Sequence, residues 1–301
     1  MRAGVGRVPP WGLAVTAMFS VQLGSALSVG LVDEIGPAGT AWLRLSFGAV
    51  VLVLLARPPL RSVRRADLPT LLGLGVATGG MTIAFLAALE RIPLGTAVAI
   101  EFLGPLGVAA LRSGSRRALA WPGLALVGVV LLTEPWTGRV DAVGIAAAAA
   151  AAVGWAVYIV LTRRIGDRFS GIRGLAFTIP VAAVTAALVG VPQSAGRMTV
   201  GVLLVAAGVA LLVPVLTFAL EMLALRRMTA TAFGTLMAVE PAFAVLLGLL
   251  VLHQRPSPAQ AVGIAMVVAA GAAAQRGGRR DRPGPRPGGP GTPTPAQEAA
   301  C

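Results

Sequence analysis

The sequence predicts an all-α membrane protein whose ten transmembrane helices form two inverted five-helix repeats, with both termini in the cytoplasm. Three observations lead to this fold class. The 301 residues are 56% hydrophobic and only 12% charged, whereas a soluble domain carries about 25% charged residues. The mean hydropathy is +0.82, and the apolar residues fall into long runs that are typical of helices crossing a bilayer. The two halves of the chain also match at a fixed offset.

Charged residues and Pro/Gly breaks divide the chain into ten apolar runs. They cover residues 11–30, 38–56, 68–89, 93–111, 118–133, 141–162, 171–191, 200–225, 229–251 and 257–275. Arg2 and Arg7 before the first run resemble the start of a signal peptide. That run of about 20 residues is longer than the apolar part of a usual signal peptide, and more runs follow it. We therefore interpret it as the first transmembrane helix.

The arginines predict the orientation, because cytoplasmic loops of membrane proteins are enriched in basic residues. With the N-terminus inside, 20 arginines lie in cytoplasmic segments and 4 lie outside. This places both termini in the cytoplasm and the chain in the plasma (inner) membrane as a multi-pass protein. Residues 276–301 are rich in Pro, Gly and Arg and have no apolar run to bury, so we expect a disordered, basic cytoplasmic tail.

An internal repeat appears when the chain is offset by 136 residues. The offset pairs Ala88 with Ala224, Leu89 with Leu225, Arg91 with Arg227, Pro105 with Pro241 and Pro122 with Pro258. It maps the fourth run onto the ninth and the fifth onto the tenth, so the repeating unit has five helices. Because five is odd, the two copies, residues 1–140 and 141–275, must lie in the membrane with opposite orientation. Inverted repeats of this kind are common in secondary transporters.

The sequence gives little support to nucleic-acid binding, to metal or cofactor sites, or to an enzymatic function. The net charge of +13 is spread between apolar runs, which argues against nucleic acid as a partner. Cys301 is the only cysteine and His253 the only histidine, so we expect no metal site, cofactor or enzymatic nucleophile. A non-transporting membrane scaffold or a membrane-embedded enzyme remains only as a remote alternative.

Two carboxylates lie inside apolar runs next to prolines. Glu101 precedes Pro105 by four residues, and Glu240 directly precedes Pro241. Proline breaks the hydrogen-bond ladder of a helix, and free backbone carbonyls at membrane depth are tolerated only in protein or beside a wet cavity. A charged carboxylate there costs about 2.5–3.5 kcal/mol, so a group that binds and releases protons suits the position. The alternative is a structural glutamate that organises the break.

Arg44 lies six residues into the second run, roughly 9 Å from its outer end. This depth predicts a carboxylate partner. That partner is either Glu101, in a structural ion pair, or the carboxylate of a substrate.

Polar stripes mark two further helices. Gln22, Ser25 and Ser28 share one face of the first helix, and Trp155, Tyr158 and Thr162 share one face of the sixth. Such stripes serve either helix packing or the lining of a cavity, and both interpretations stay open. Glu221, near the cytoplasmic end of the eighth run, is expected to pair with Arg226 or Arg227. The GxxxG pattern from Gly75 to Gly79 is interpreted as close helix packing.

Two stretches carry a resemblance to a known family. "AVAIEFLGPLGVAAL" (97–111) and "EMLALRRMTATAFGTLMAVEPAFAVLLGLLVL" (221–252) resemble EamA-type members of the drug/metabolite transporter superfamily, in the branch of the threonine and homoserine exporters. The resemblance extends to about Gln275. It implies export of a small amino acid or related metabolite in exchange for protons, with the two halves giving alternating access. Efflux of drugs or other metabolites by the same fold is the alternative.

The chain departs from the family pattern in one outer loop. EamA-type repeats commonly carry the dipeptide "GE" there, whereas "LHQRPS" (252–257) has His253 and Gln254. The expected partners are the small-molecule substrate, the proton and the lipid bilayer. A homodimer is left open.

Overall fold

The computed structural model describes residues 9–59, 61, 63–112, 119–137, 141–166, 172–225, 227–228, 233 and 236–277. The secondary structure of these residues is entirely helical. The helices are α1 (Pro10–Ala56), α2 (Leu68–Leu89), α3 (Leu94–Glu101), α4 (Leu103–Arg112), α5 (Ala120–Thr133), α6 (Ala142–Gly166), α7 (Ile172–Ser194), α8 (Val200–Ala210), α9 (Thr217–Leu225), α10 (Glu240–Val251) and α11 (Pro258–Gly277). A π-helical segment, Leu211–Leu216, joins α8 to α9.

Six stretches within the described residues are long and apolar enough to cross a membrane. They are Pro10–Ala56, Arg65–Leu89, Leu94–Leu111, Ala142–Thr162, Gly174–Ser194 and Val200–Leu225. Glu240–Val251 and Pro258–Ala274 are shorter apolar helices. The fold is therefore that of a multi-pass membrane protein, and the count of ten spans stays a prediction. The C-terminal tail beyond Gly277 lies outside the described residues.

Helix α1 holds the first two apolar runs and bends sharply between them. Gly36 has φ 79° and ψ 165°, a conformation that is essentially restricted to glycine, and Pro37 follows it. The guanidinium of Arg44 reaches Ser28 across the bend, so the two arms, residues 10–35 and 37–56, lie side by side as a helical hairpin. The sequence interpretation ended the first helix at Gly30, but the helix continues to the bend with the two acidic residues of its last turn exposed to solvent.

The eighth apolar run is also interrupted, which the sequence analysis did not predict. Val213 has the extended dihedrals φ −137° and ψ 113°, and Pro214 supplies no N–H to the helix ladder. The carbonyl of Leu212 instead accepts hydrogen bonds from Thr217 Oγ1 at 3.0 Å and from Ser20 Oγ at 3.3 Å. The interruption thus binds to the first arm of α1.

Glycines let several helices approach closely. A methyl group on Gly79 of α2 would lie 2.7 Å from the carbonyl oxygen of Ala182 on α7. Gly75, one turn earlier, would likewise meet the Thr178 carbonyl at 3.0 Å, so the GxxxG pattern does pack α2 against α7, as predicted. On the other side of the molecule, a methyl group on Gly128 of α5 would lie 2.7 Å from the carbonyl oxygen of Gly263 on α11.

The close approach of α2 and α7 generates a stability prediction. Gly79→Ala places a methyl group against the backbone of α7, and we expect it to destabilise the protein by about 1–3 kcal/mol, the usual cost of overpacking. The neighbouring Gly80 is exposed and has nothing within 4 Å of such a methyl group. Gly80→Ala is therefore the matched control, and it should be neutral or stabilising by about 0.5–1 kcal/mol. Thermal unfolding of the purified variants in detergent measures the difference. Equal melting temperatures for the two variants would contradict the close contact of α2 with α7 at Gly79.

Candidate functional site

Two interruptions of the helices lie next to each other in the interior. Helix α3 ends at Glu101, and α4 starts after Phe102. Pro105 has no N–H to offer the carbonyl of Glu101, while the N–H of Leu106 reaches the carbonyl of Phe102 at 3.3 Å. The second interruption is a turn at Ala238 and Val239, directly before α10. A methyl group on Gly271 of α11 would lie 2.7 Å from Phe102 and 2.8 Å from Ala238, so both interruptions contact the same point of α11.

Glu240 opens α10 at the second interruption, and its carboxylate is bound by an amide from α1. Gln22 Nε2 donates a hydrogen bond to Glu240 Oε1 at 3.0 Å. Both side chains are almost fully enclosed, with 2% of Gln22 and 7% of Glu240 exposed. The other oxygen of each group, Gln22 Oε1 and Glu240 Oε2, is buried and has no hydrogen-bond partner among the described residues. Two buried acceptors therefore point into the interior without a donor.

Arg44 is buried on the second arm of α1, with 7% of the residue exposed. Its NH1 donates to Ser28 Oγ at 3.3 Å, and Ser28 Oγ in turn donates to the Gly24 carbonyl at 2.6 Å. Arg44 Nε has no partner in the part of the chain that the structure describes. No carboxylate within those same residues lies close enough to form an ion pair with this guanidinium, although buried charges are normally paired.

Glu101 is the third charged residue of this region. It is partly buried and lies within electrostatic range of both Glu240 and Arg44. The structure therefore brings together five residues from three helices, Gln22, Ser28, Arg44, Glu101 and Glu240, which we call the central polar cluster. Of the two partners that the sequence left open for Arg44, Glu101 is near but forms no direct ion pair with it.

The other predicted residues lie around this cluster. Trp155 packs edge-on against Phe102, with ring centroids 6.2 Å apart. Tyr158 interacts with Thr162 on its own helix and lies within electrostatic range of Glu221, and Glu221 lies within range of Glu240. Ser25 is buried on the same arm of α1 as Gln22.

Glu221, which was expected to pair with Arg226 or Arg227, is half-buried and lies within electrostatic range of Glu240. Its pairing with an arginine stays a prediction. Of the two arginines proposed for it, Arg226 lies outside the described residues.

A second group of polar contacts closes the side predicted to face outward. Gln254 Oε1 accepts a hydrogen bond from the N–H of Leu94, at the start of α3, at 3.0 Å. His253 before it has φ 57°, the left-handed region that favours glycine. The Gln254 amide ties the start of α3 to the loop after α10.

The same side holds a cavity of about 460 Å³ lined by Arg91, Thr96, Glu134, Asp141 and Gln260 among others. Arg91 and Asp141 form an exposed ion pair at 3.3 Å, which contributes little to stability. Glu134 accepts hydrogen bonds from Ser257 Oγ at 2.5 Å and from Gln260 Nε2 at 3.2 Å. These contacts join the end of α5 to the start of α11. No group of three or more His, Cys, Asp or Glu within the described ranges is arranged to hold a metal ion.

Comparisons with known proteins match the chain over most of its length. Residues 142–273 match the EamA-like transporter family. The chain is 34% identical over 283 residues to the threonine/homoserine exporter RhtA of Escherichia coli K12, an alignment that covers 90% of this chain and 93% of that protein. It is also 34% identical over 277 residues to the threonine/homoserine exporter RhtA of Salmonella typhimurium LT2, covering 88% and 91%. A solved crystal structure is similar with a TM-score of 0.58 and 25% identity, covering 87% of this chain and 96% of that one.

The contact between Arg44 and Ser28 generates a prediction. Ser28→Ala removes the hydrogen bond to a buried charged group, and we expect a loss of about 1.5–3 kcal/mol in the free energy of unfolding. Ser25→Ala is the matched control, because Ser25 is equally buried on the same helix arm but does not contact Arg44. Chemical or thermal unfolding in detergent compares the two variants. Equal losses would show that the Ser28 hydroxyl does not support Arg44.

Proposed function

The chain belongs to the EamA-like transporter family, and from this premise we propose that it exports threonine, homoserine or a similar small amino acid in exchange for protons. The observation that carries this proposal is the 34% identity to threonine/homoserine exporters, which extends over nine tenths of both chains. A likeness of that extent reaches into both halves of the chain. Transport, and not an enzymatic reaction, is the activity of this family.

We further propose that the fold consists of ten spans in two inverted repeats, residues 1–140 and 141–275. The packing of the helices supports this arrangement. Helices at equal positions in the two halves pack against each other, namely the second arm of α1 with α7, α3 with α10, and α5 with α11. The contact of α2 with α6 has its counterpart in the contact of α9 with the first arm of α1. A two-fold axis in the membrane plane would generate both patterns.

The two helix interruptions fit the same repeat. Phe102 and Ala238, where α3/α4 and α10 are interrupted, are separated by the repeat offset of 136 residues. The central polar cluster draws Gln22, Arg44 and Glu101 from the first half and Glu240 from the second. In this proposal the cluster lies at the boundary between the halves, and a rocking motion of one half against the other exposes it to each side of the membrane in turn.

Proton coupling follows from the cost of charge at this depth. A carboxylate near the middle of a bilayer costs about 2.5–3.5 kcal/mol when charged and unpaired. Glu101 and Glu240 therefore need either a proton or the cationic group of a substrate when the site is closed. If the cluster can bind either the proton or the substrate, but not both at the same time, then proton entry and substrate exit are coupled.

Opening toward the outside would require the halves to separate on that side. The hydrogen bond between Gln254 and Leu94 and those from Ser257 and Gln260 to Glu134 connect the two halves there. We propose that these bonds break in each transport cycle. The cavity beside Arg91 and Asp141 would then join the exit path.

Uptake of radiolabelled threonine into inside-out membrane vesicles with an acidic lumen tests this function. We expect the wild type to accumulate threonine only when the pH gradient is present, because lumenal protons leave through Glu101 as threonine enters. Glu101→Gln cannot carry a proton and should reduce gradient-driven uptake at least tenfold.

The matched control is Glu90→Gln, since Glu90 is an exposed glutamate at the end of α2. It should transport like the wild type. Uptake that is equal for wild type and Glu101→Gln would remove Glu101 from the coupling path. Absence of threonine uptake by the wild type, together with gradient-driven uptake of another metabolite, would favour the broader efflux function.

A further inference from the structure

We propose that the central polar cluster binds the zwitterion of an α-amino acid, with Gln22 and Glu240 accepting from its ammonium group and Arg44 donating to its carboxylate. This assignment rests on the proposed export function and adds to it which chemical groups of the substrate are recognised. The cluster contains buried polar atoms that lack partners among the described residues and that complement the two ends of such a ligand.

The ammonium end is defined by two acceptors. Gln22 Oε1 and Glu240 Oε2 are both buried and without a donor among the described residues. They belong to side chains that are already joined by the 3.0 Å bond from Gln22 Nε2 to Glu240 Oε1, so both oxygens belong to one hydrogen-bonded pair. An ammonium group has three N–H donors and no acceptor, and the carboxylate of Glu240 supplies the opposite charge. A primary ammonium group thus satisfies both oxygens at once.

The carboxylate end is defined by Arg44. Its guanidinium has five N–H donors in a planar fork that matches a carboxylate with two parallel hydrogen bonds. Among the described residues it makes one hydrogen bond, to the neutral hydroxyl of Ser28, and its Nε is buried without a partner there. A substrate carboxylate would supply the missing charge. Glu101 does not, because it lies within electrostatic range of Arg44 but not at ion-pair distance.

Both ends of the cluster have contacts on the first arm of α1. Ser28, which binds Arg44, lies six residues after Gln22, or about 9 Å along the helix axis. A molecule with only one of the two charged groups would leave one end of the cluster without a partner.

Binding of three related compounds to the purified wild-type protein tests this assignment. The compounds are threonine, N-acetylthreonine, which lacks the ammonium group, and threoninamide, which lacks the carboxylate. Thermal stabilisation in detergent at constant pH gives the apparent affinities. We expect threonine to bind at least tenfold more tightly than either derivative.

Two variants assign the ends to residues. Gln22→Ala should weaken threonine binding about tenfold and reduce the preference over N-acetylthreonine, while the preference over threoninamide remains. Arg44→Lys keeps the charge but loses the planar fork, so it should reduce the preference over threoninamide and leave the preference over N-acetylthreonine. Thr16→Ala, at an exposed position on the same arm of α1, is the control and should match the wild type. If Arg44→Lys does not fold, the binding of the three compounds to the wild type and to Gln22→Ala still tests the assignment.

The results separate this inference from the export function. Equal binding of the three compounds, or no binding of any of the twenty α-amino acids, would overturn the assignment. Discrimination among the three compounds without gradient-driven threonine uptake in vesicles would support the site and refute the export function. If another α-amino acid binds with the same dependence on Gln22 and Arg44, the site stands and threonine is replaced as the substrate.

Discussion

The structure depends on one constraint, which is that polar groups inside a hydrocarbon layer must find partners within the protein or in what it binds. The hydrogen bond between Gln22 and Glu240 pairs one polar atom of each side chain, Gln22 Nε2 and Glu240 Oε1. It joins the first arm of α1 to α10. Within the described residues, Arg44 donates a hydrogen bond to Ser28 alone. Most other buried side chains of those residues are apolar or carry only a hydroxyl group. The remaining unpaired atoms of Gln22, Arg44 and Glu240 point to a ligand.

The helix interruptions follow from the same constraint. At the break between α3 and α4, Pro105 offers no N–H to the backbone carbonyl of Glu101. The turn before α10 places Glu240 at the start of that helix. The break at Pro214 is satisfied by hydroxyl groups of Ser20 and Thr217. At each of these breaks, the interrupted backbone therefore lies next to polar side chains. The candidate site lies where two of the breaks are adjacent.

Much of this arrangement could be predicted from the sequence, because a charged residue or a proline within an apolar run is conspicuous. Glu101, Glu240 and Arg44 were found in that way, and the structure places them near each other. The break at Val213 was missed although Pro214 signals it, because no carboxylate stands next to that proline as at Pro105 and Pro241. The continuation of α1 to residue 35 was missed because acidic residues were interpreted as a loop. Tertiary packing determines both the break at Val213 and the length of the first arm of α1. Such packing cannot be read from a single sequence.

In the proposed mechanism, the substrate and the proton compete for one buried cluster. Calorimetric titration of the purified protein with threonine, in two buffers of different ionisation enthalpy at the same pH, measures how many protons are released on binding. We expect the wild type to release protons when threonine binds and Glu101→Gln to release fewer, because only Glu240 can then give up a proton. Binding to the wild type with no proton exchange would contradict the competition and leave the carboxylates with a structural role.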